Sequence, residues 1–213
     1  MVRQIKNATS FSRKGSTLKT QPKILIICED SKSGKRYIED ATRYYRVHVS
    51  IKVSHCGKTD PKGIVVEAIS QKNNYDNVFC AIDRDTHLNY DEALALAFKV
   101  ENVTVISSHP CMEYWYVLHF GYSRKAFNAL PGKSPGDQMV SELKNLIPDY
   151  DKSSGSNLFM ELFPKLDDAK RYAKKVIKHA GEDGGFNPST RLYELIELFE
   201  KLSVPQLKDV VVE

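Results

Sequence analysis

Two aspartates, Asp83 and Asp85, directly follow the apolar run at residues 78–82, Val-Phe-Cys-Ala-Ile. Such a run is typical of a strand buried in a parallel sheet, and ligands gather where such strands end. Because side chains two positions apart in extended chain point the same way, both carboxylates are expected to face one point. They would repel each other unless a cation lay between them, and oxygen ligands suit hard divalent ions. The pattern favours a divalent metal site; the alternative is an Asp-rich loop that caps the next helix.

Two glutamates are expected at the same edge of the sheet. Residues 23–28 form another apolar run, which predicts a buried first strand, and Glu29 follows it. Glu113 falls in the first turn of a helix predicted to begin at Pro110, where a fourth strand ends. This position favours an acid that faces the site beside Glu29 and Asp83. A favourable interaction with the helix dipole explains an acid there equally well, so both interpretations stay open.

Two cations, Lys35 and Arg36, lie in the first turns of a helix predicted over residues 32–45 and capped by Ser31. Positive charge at the N-terminus of a helix opposes the helix dipole. The placement is better explained if these side chains face an anion such as phosphate. We therefore predict that Lys35 and Arg36 bind a substrate phosphate.

The positive charge of the chain is modest and uneven. The formal net charge is +4, which permits nucleic-acid binding without requiring it. Residues 1–22 carry lysine and arginine but no acid, so they are interpreted either as a mobile basic arm along a phosphate backbone or as a solvated tail. Five further cations cluster on the helix predicted at 166–180, as a solvated or a phosphate-contacting face: Lys170, Arg171, Lys174, Lys175 and Lys178.

Strands alternate with helices over the first half of the chain, which predicts an α/β fold with about four parallel strands flanked by helices. Amphipathic helices at 137–147, 166–180 and after Asn187 predict a C-terminal helical region, with a flexible stretch at 151–157. The predicted strands are residues 23–28, 47–53, 78–82 and 102–106. The predicted organisation is a basic arm at 1–22, an α/β core at 23–120 and a helical region at 121–213 packed on the core.

Composition excludes several classes of protein. Hydrophobic residues make up 41% and charged residues 27%, which is ordinary for a globular protein, and no apolar stretch is long enough to cross a bilayer. The N-terminus lacks the apolar core of a signal peptide, so a cytoplasmic location is expected. The four cysteines lack CxxC spacing and are expected to be reduced thiols. A zinc site built from His55, Cys56, His109 and Cys111 stays a minor alternative, because adjacent His and Cys are poorly spaced ligands.

Four ordered motifs resemble the RloB-like family, with which abortive-infection proteins of the AbiL type belong. The resemblance extends from Lys23 to about Leu202 and is carried by residues 24–29 (Ile-Leu-Ile-Ile-Cys-Glu), 82–85 (Ile-Asp-Arg-Asp), 108–115 (Ser-His-Pro-Cys-Met-Glu-Tyr-Trp) with 118–120 (Leu-His-Phe), and 187–190 (Asn-Pro-Ser-Thr).

The resemblance implies a Toprim-like domain, in which a glutamate after the first strand and a DxD after the third hold Mg²⁺. Carried over, Glu29, Asp83 and Asp85 are the expected metal ligands, with Glu29 as ligand or general base. Glu113 matches the acid of the family's Pro-x-x-Glu-x-Trp segment and is the expected ligand of a second metal ion. These residues would form the catalytic site of a Mg²⁺- or Mn²⁺-dependent nuclease. Such a protein would act on DNA or RNA in anti-phage defence, together with an ATPase partner.

In one alternative, the pocket binds a nucleic acid or a nucleotide and does not catalyse a reaction. Toprim glutamates are usually followed by glycine, whereas Asp30 follows Glu29 here, and Thr86 and His87 follow Asp85 where a further acid or glycine would be expected. The protein would then be a nucleic-acid or nucleotide-binding subunit that works through its ATPase partner. The sequence leaves the choice between DNA, RNA and nucleotide open, as it does the choice between a monomer and a homo-oligomer.

Overall fold

The computed structural model describes residues 22–47, 49–153 and 157–203, which form an α/β fold around a five-stranded sheet. The predicted basic arm at 1–22 lies outside the described residues, except for Pro22. The order of the strands in the sheet is β2-β1-β3-β4-β5. Their bounds are β1 Lys23–Cys28, β2 Ser50–Ser54, β3 Asn77–Asp83, β4 Val103–His109 and β5 Ser189–Thr190.

The first four strands are parallel, as predicted, and the short β5 is antiparallel to β4. The prediction that residues 187–190 begin a helix is wrong. Thr190 pairs with Ser108 in the sheet, and the buried hydroxyls of these two residues lie 2.9 Å apart. This pairing satisfies backbone groups at the edge of the sheet, so the helix begins only after Arg191.

Helices cover both faces of the sheet, and none in the described part of the chain is long and apolar enough to cross a membrane. The helices are α1 Ser33–Tyr44, α2 Pro61–Gln71, α3 Tyr90–Phe98, α4 Glu113–Val117, α5 Pro135–Leu146, α6 Leu158–Leu162, α7 Leu166–Asp183 and α8 Leu192–Leu202.

Two helix starts differ from prediction. α4 begins at Glu113 rather than Pro110, because β4 continues to His109 and the Pro110 carbonyl accepts the backbone N–H of Asp85 at 2.8 Å. The start of α1 is capped by Asp30 rather than Ser31: the Asp30 carboxylate accepts the backbone N–H of Gly34 at 3.1 Å. An acid at this end of the helix also interacts favourably with the helix dipole.

Both faces of β1 are buried, which explains its uninterrupted apolar sequence. Ile24 and Ile26 pack with α1 and the C-terminal helices, whereas Leu25 and Ile27 pack with α2 and α3. The aromatic side chains of α4 belong to the core, with Trp115 fully buried. The parallel arrangement brings the carboxyl ends of β1, β3 and β4 to one edge, where the predicted acids lie.

Candidate active site

A cleft of about 810 Å³ opens at this edge of the sheet. Glu29, Asp83 and Asp85 line it together with His87, and α5 and the loop that follows α5 form an opposite wall. The structure thus brings the two aspartates and the first predicted glutamate to one cavity. Glu113 is not among the lining residues.

Glu29 is held in place by two described neighbours. Its Oε2 accepts the backbone N–H of Asp83 at 2.8 Å, and its Oε1 lies 3.2 Å from His87 Nε2. Burial raises the pKa of Glu29, and the N–H of Asp83 and the His87 ring act in the opposite direction. The carboxylate is therefore fixed at the junction of β1 and β3 and still faces the cleft.

Asp83 is the least satisfied acid of the cleft. Its carboxylate makes no hydrogen bond to any residue that the structure describes. Burial, followed by the negative charges of Glu29 and Glu113, raises the pKa of Asp83 well above its usual range. The side chain would be stabilised by a proton or a cation, and the nearby ammonium of Lys152 meets this need in part.

Asp85 occupies a different environment from Asp83. The predicted extended geometry across the two residues is wrong, because β3 ends at Asp83 and Asp85 has φ +25°. Its Oδ1 accepts the backbone N–H of Gly136 at 3.1 Å, in the first turn of α5. This hydrogen bond links the start of α5 to the edge of the sheet.

Glu113 lies behind the cleft and is 1% exposed. Its Oε1 accepts the hydroxyl of Tyr150 at 2.9 Å and lies 2.7 Å from Lys152 Nζ. Oε2 is buried and has no hydrogen-bond partner in the described chain. Burial raises the pKa of the Cys111 thiol, and the charges of Glu113 and Asp83 raise it further. Glu113 therefore contributes negative charge to the site although a loop screens it from the cleft.

The predicted phosphate-binding residues, Lys35 and Arg36, do not line the cleft. Lys35 Nζ pairs with Glu39 at 3.0 Å on the same helix, and Arg36 donates a hydrogen bond to the Ser153 carbonyl at 3.0 Å. The cations that do line the cleft are Lys32, Lys144 and Lys152.

Sequence reasoning missed the contributions of Tyr150, Lys152 and Lys144. Tyr150 immediately precedes the stretch predicted to be flexible, at 151–157, and Lys152 lies within it. No local pattern in the sequence indicates that these two side chains contact Glu113. Lys144 lies in the last turn of a helix, where the helix dipole alone explains a cation. In the sequence, His87 stands out only as a departure from the Toprim pattern.

The donors fit a hard divalent cation in their chemistry. Glu29 and Asp83 offer carboxylate oxygens, and Mg²⁺ is commonly held by one or two carboxylates that water and substrate phosphates supplement. In the described ranges, no three His, Cys, Asp or Glu side chains are gathered closely enough to hold an ion by themselves. The zinc alternative gains no support, since His55 Nδ1 lies 3.1 Å from the Cys28 carbonyl and Cys111 is buried.

One family model matches the chain: residues 24–199 match the model described as RloB-like protein. No curated protein and no solved structure matches the chain significantly.

Proposed function

The chain belongs to the RloB-like family, and we propose that its acidic cleft is the active site of a metal-dependent nuclease. The observation that carries this proposal is the state of Asp83. It has no described hydrogen-bond partner, its pKa is raised by burial and by Glu29 and Glu113, and it faces a cleft that lysines also line. A site that combines unneutralised carboxylates with ammonium groups suits a divalent cation and a phosphodiester.

Glu29 and Asp83 are the residues that would hold Mg²⁺ or Mn²⁺. The bound ion would lower the pKa of an attacking water and neutralise charge on the leaving oxygen. Glu29 is already oriented by the Asp83 N–H and by His87, so its carboxylate enters the reaction with little freedom to move. The His87 ring is placed to exchange a proton with Glu29 Oε1.

Asp85 and Glu113 have supporting roles in this proposal. Asp85 positions α5, which forms a wall of the cleft, through the N–H of Gly136. Glu113 draws Tyr150 and Lys152 toward the sheet edge and adds negative charge beneath Asp83. Asp85 therefore shapes the cleft from within its lining, whereas Glu113 acts from behind it.

The wider role is proposed from the motif resemblance. It supports a Toprim-like arrangement, an effector role in anti-phage defence, and cooperation with an ATPase partner. The acids and lysines of the cleft support a narrower proposal, namely that the substrate carries phosphodiester groups.

A second candidate function is binding without catalysis. The hydrogen bond from the backbone N–H of Gly136 to Asp85 favours this second function, because it leaves Asp85 less free to coordinate an ion. In that case the protein would sense a nucleic acid or nucleotide and act through its ATPase partner.

Calorimetric titration with Mn²⁺ tests the site directly, on the wild-type protein and on the Asp83→Asn variant. A matched control is Asp168→Asn, which removes an exposed acid on α7 outside the cleft. We expect binding in the wild type and the control and a loss of binding in Asp83→Asn. Equal binding in all three proteins would refute the metal site.

Cleavage of labelled DNA and RNA, single-stranded and duplex, then separates the two candidate functions. Metal binding followed by cleavage that Asp83→Asn abolishes supports the nuclease. Metal binding with no cleavage of any of these substrates, also in the presence of the ATPase partner, supports the binding subunit.

A further inference from the structure

Two lysines that line the cleft take no part in the proposed metal site. Lys32 lies immediately before α1, and Lys144 lies in the last turn of α5. Both side chains are exposed and line the cleft, and neither ammonium has an ion-pair or hydrogen-bond partner among the described residues. The third lysine, Lys152, is already paired with Glu113.

The two lysines reach the cleft from different elements. Asp151, on the loop after α5, is bonded to the backbone N–H and the hydroxyl of Ser153, both at 2.8 Å. The Ser153 bonds lower the pKa of Asp151, and the charges of Lys144 and Lys32 lower it further. Both lysines therefore act electrostatically on one carboxylate of the cleft, and all three residues line it.

The charge of the cleft explains why this pair matters. Six carboxylates line it against three lysines, so the side chains of the cleft alone disfavour a polyanion. A divalent cation at Glu29 and Asp83 would offset much of this excess. Lys32 and Lys144 would then offer ammonium groups that form no ion pair with any described acid.

We propose that Lys32 and Lys144 bind the phosphodiester backbone of a nucleic-acid strand, beside the phosphate that reacts at Glu29 and Asp83. This inference rests on the proposed function and adds to it a strand-binding subsite. It replaces the predicted phosphate contacts of Lys35 and Arg36, whose side chains are engaged outside the cleft.

The subsite recognises the backbone rather than the bases. Among the described lining residues, Tyr150 is the only Phe, Tyr or Trp, and it is buried with its hydroxyl on Glu113. Base recognition in single strands depends largely on stacking against exposed aromatic rings. Binding through lysines alone carries no sequence information.

The test compares Lys32→Gln and Lys144→Gln with Lys35→Gln in an anisotropy assay on labelled oligonucleotides, with Ca²⁺ replacing Mg²⁺. Glutamine keeps most of the aliphatic stem and removes the charge. Lys35 is a matched control because it lies on α1 outside the cleft and pairs with Glu39. We expect each cleft variant to weaken binding about fivefold, for several unrelated sequences alike, and the control to bind like wild type.

Salt dependence gives an independent readout. Loss of one phosphate contact should reduce the slope of log affinity against log salt by about 0.7 for a single strand and 0.9 for a duplex. Variants whose affinity and slope match those of Lys35→Gln would overturn the subsite, as would a wild-type protein that binds no oligonucleotide. A mononucleotide that binds as tightly as an oligonucleotide would also overturn it, because a strand is then not required.

A Mn²⁺ titration of the same variants separates this inference from the proposed function. Lys32→Gln and Lys144→Gln should bind Mn²⁺ as well as wild type. If they do so and also bind nucleic acid normally, the subsite is wrong and the metal site stands. If the wild type and Asp83→Asn show no difference in Mn²⁺ binding, the proposed function itself fails.

Discussion

Removal of Lys152 should destabilise the protein much more than removal of its partner, Glu113. Glu113 is 1% exposed, and in a Lys152→Ala variant its charge would stay buried without its cation. In a Glu113→Gln variant the Lys152 side chain, which is 42% exposed, would still reach water. The hydrogen bond from Tyr150 can also be accepted by a glutamine carbonyl.

The size of the effect follows from this burial. An unpaired buried charge typically costs about 3–5 kcal/mol of folding free energy. With an unfolding entropy of about 2.1 cal/mol/K per residue over 213 residues, that corresponds to a fall of about 7–11 °C in the unfolding midpoint.

Urea unfolding of the two single variants and the double variant measures the prediction. The double variant should resemble Glu113→Gln, since the buried charge is then absent. Lys125→Ala is the control, because it breaks a solvent-exposed ion pair with Glu142 and should cost less than about 1 kcal/mol. The reasoning is refuted if Lys152→Ala is as stable as this control, or if Glu113→Gln is the less stable of the two site variants.

Three further outcomes are expected. Asp83→Asn should raise the midpoint of thermal unfolding at pH 7, because it removes repulsion with Glu29; a lower midpoint in calorimetry would show that Asp83 stabilises the fold. Asp85→Ala should cost about 1 kcal/mol in urea, because the N–H of Gly136 loses its acceptor, while Asp85→Asn should retain most of the stability. Burial lowers the pKa of His119 to about 4, so between pH 6.5 and pH 4 the unfolded chain binds a proton that the folded chain does not. Wild type should lose up to about 3 kcal/mol more than His119→Gln over that range, and parallel pH curves would contradict this.

Much of the fold follows from local sequence. The apolar run of β1 at 23–28 and the run before Asp83 indicate buried strands directly, because strands covered on both faces cannot alternate in polarity. The i, i+3, i+4 pattern of α8 likewise predicts a helix. The pairing of β5 could not be predicted in this way, since Ser189–Thr190 is too short to show a periodicity and depends on a partner 82 positions away in the chain.

The candidate site was predictable only where it depends on strand ends. Glu29 and Asp83 meet because each follows a neighbouring strand of a parallel sheet. The engagement of Asp85 depends on a left-handed backbone conformation and on α5, which starts 50 residues later. The partners of Glu113, Tyr150 and Lys152, come from a loop that shows no periodic sequence pattern, so residue spacing does not indicate these contacts.

The attachment of the C-terminal region to the acids of the sheet edge also limits how the chain can be divided. A fragment ending at residue 120 would leave Glu113 without Tyr150 and Lys152, and would deprive Tyr37 of its contact with Phe159, where the ring centroids are 5.4 Å apart. The apolar side chains of β1 and α1 that pack against the C-terminal helices would then be exposed to water, with a large loss of stability. We therefore expect that the α/β half does not fold as an autonomous unit, because the segments that follow it complete both the core and the surroundings of Glu113.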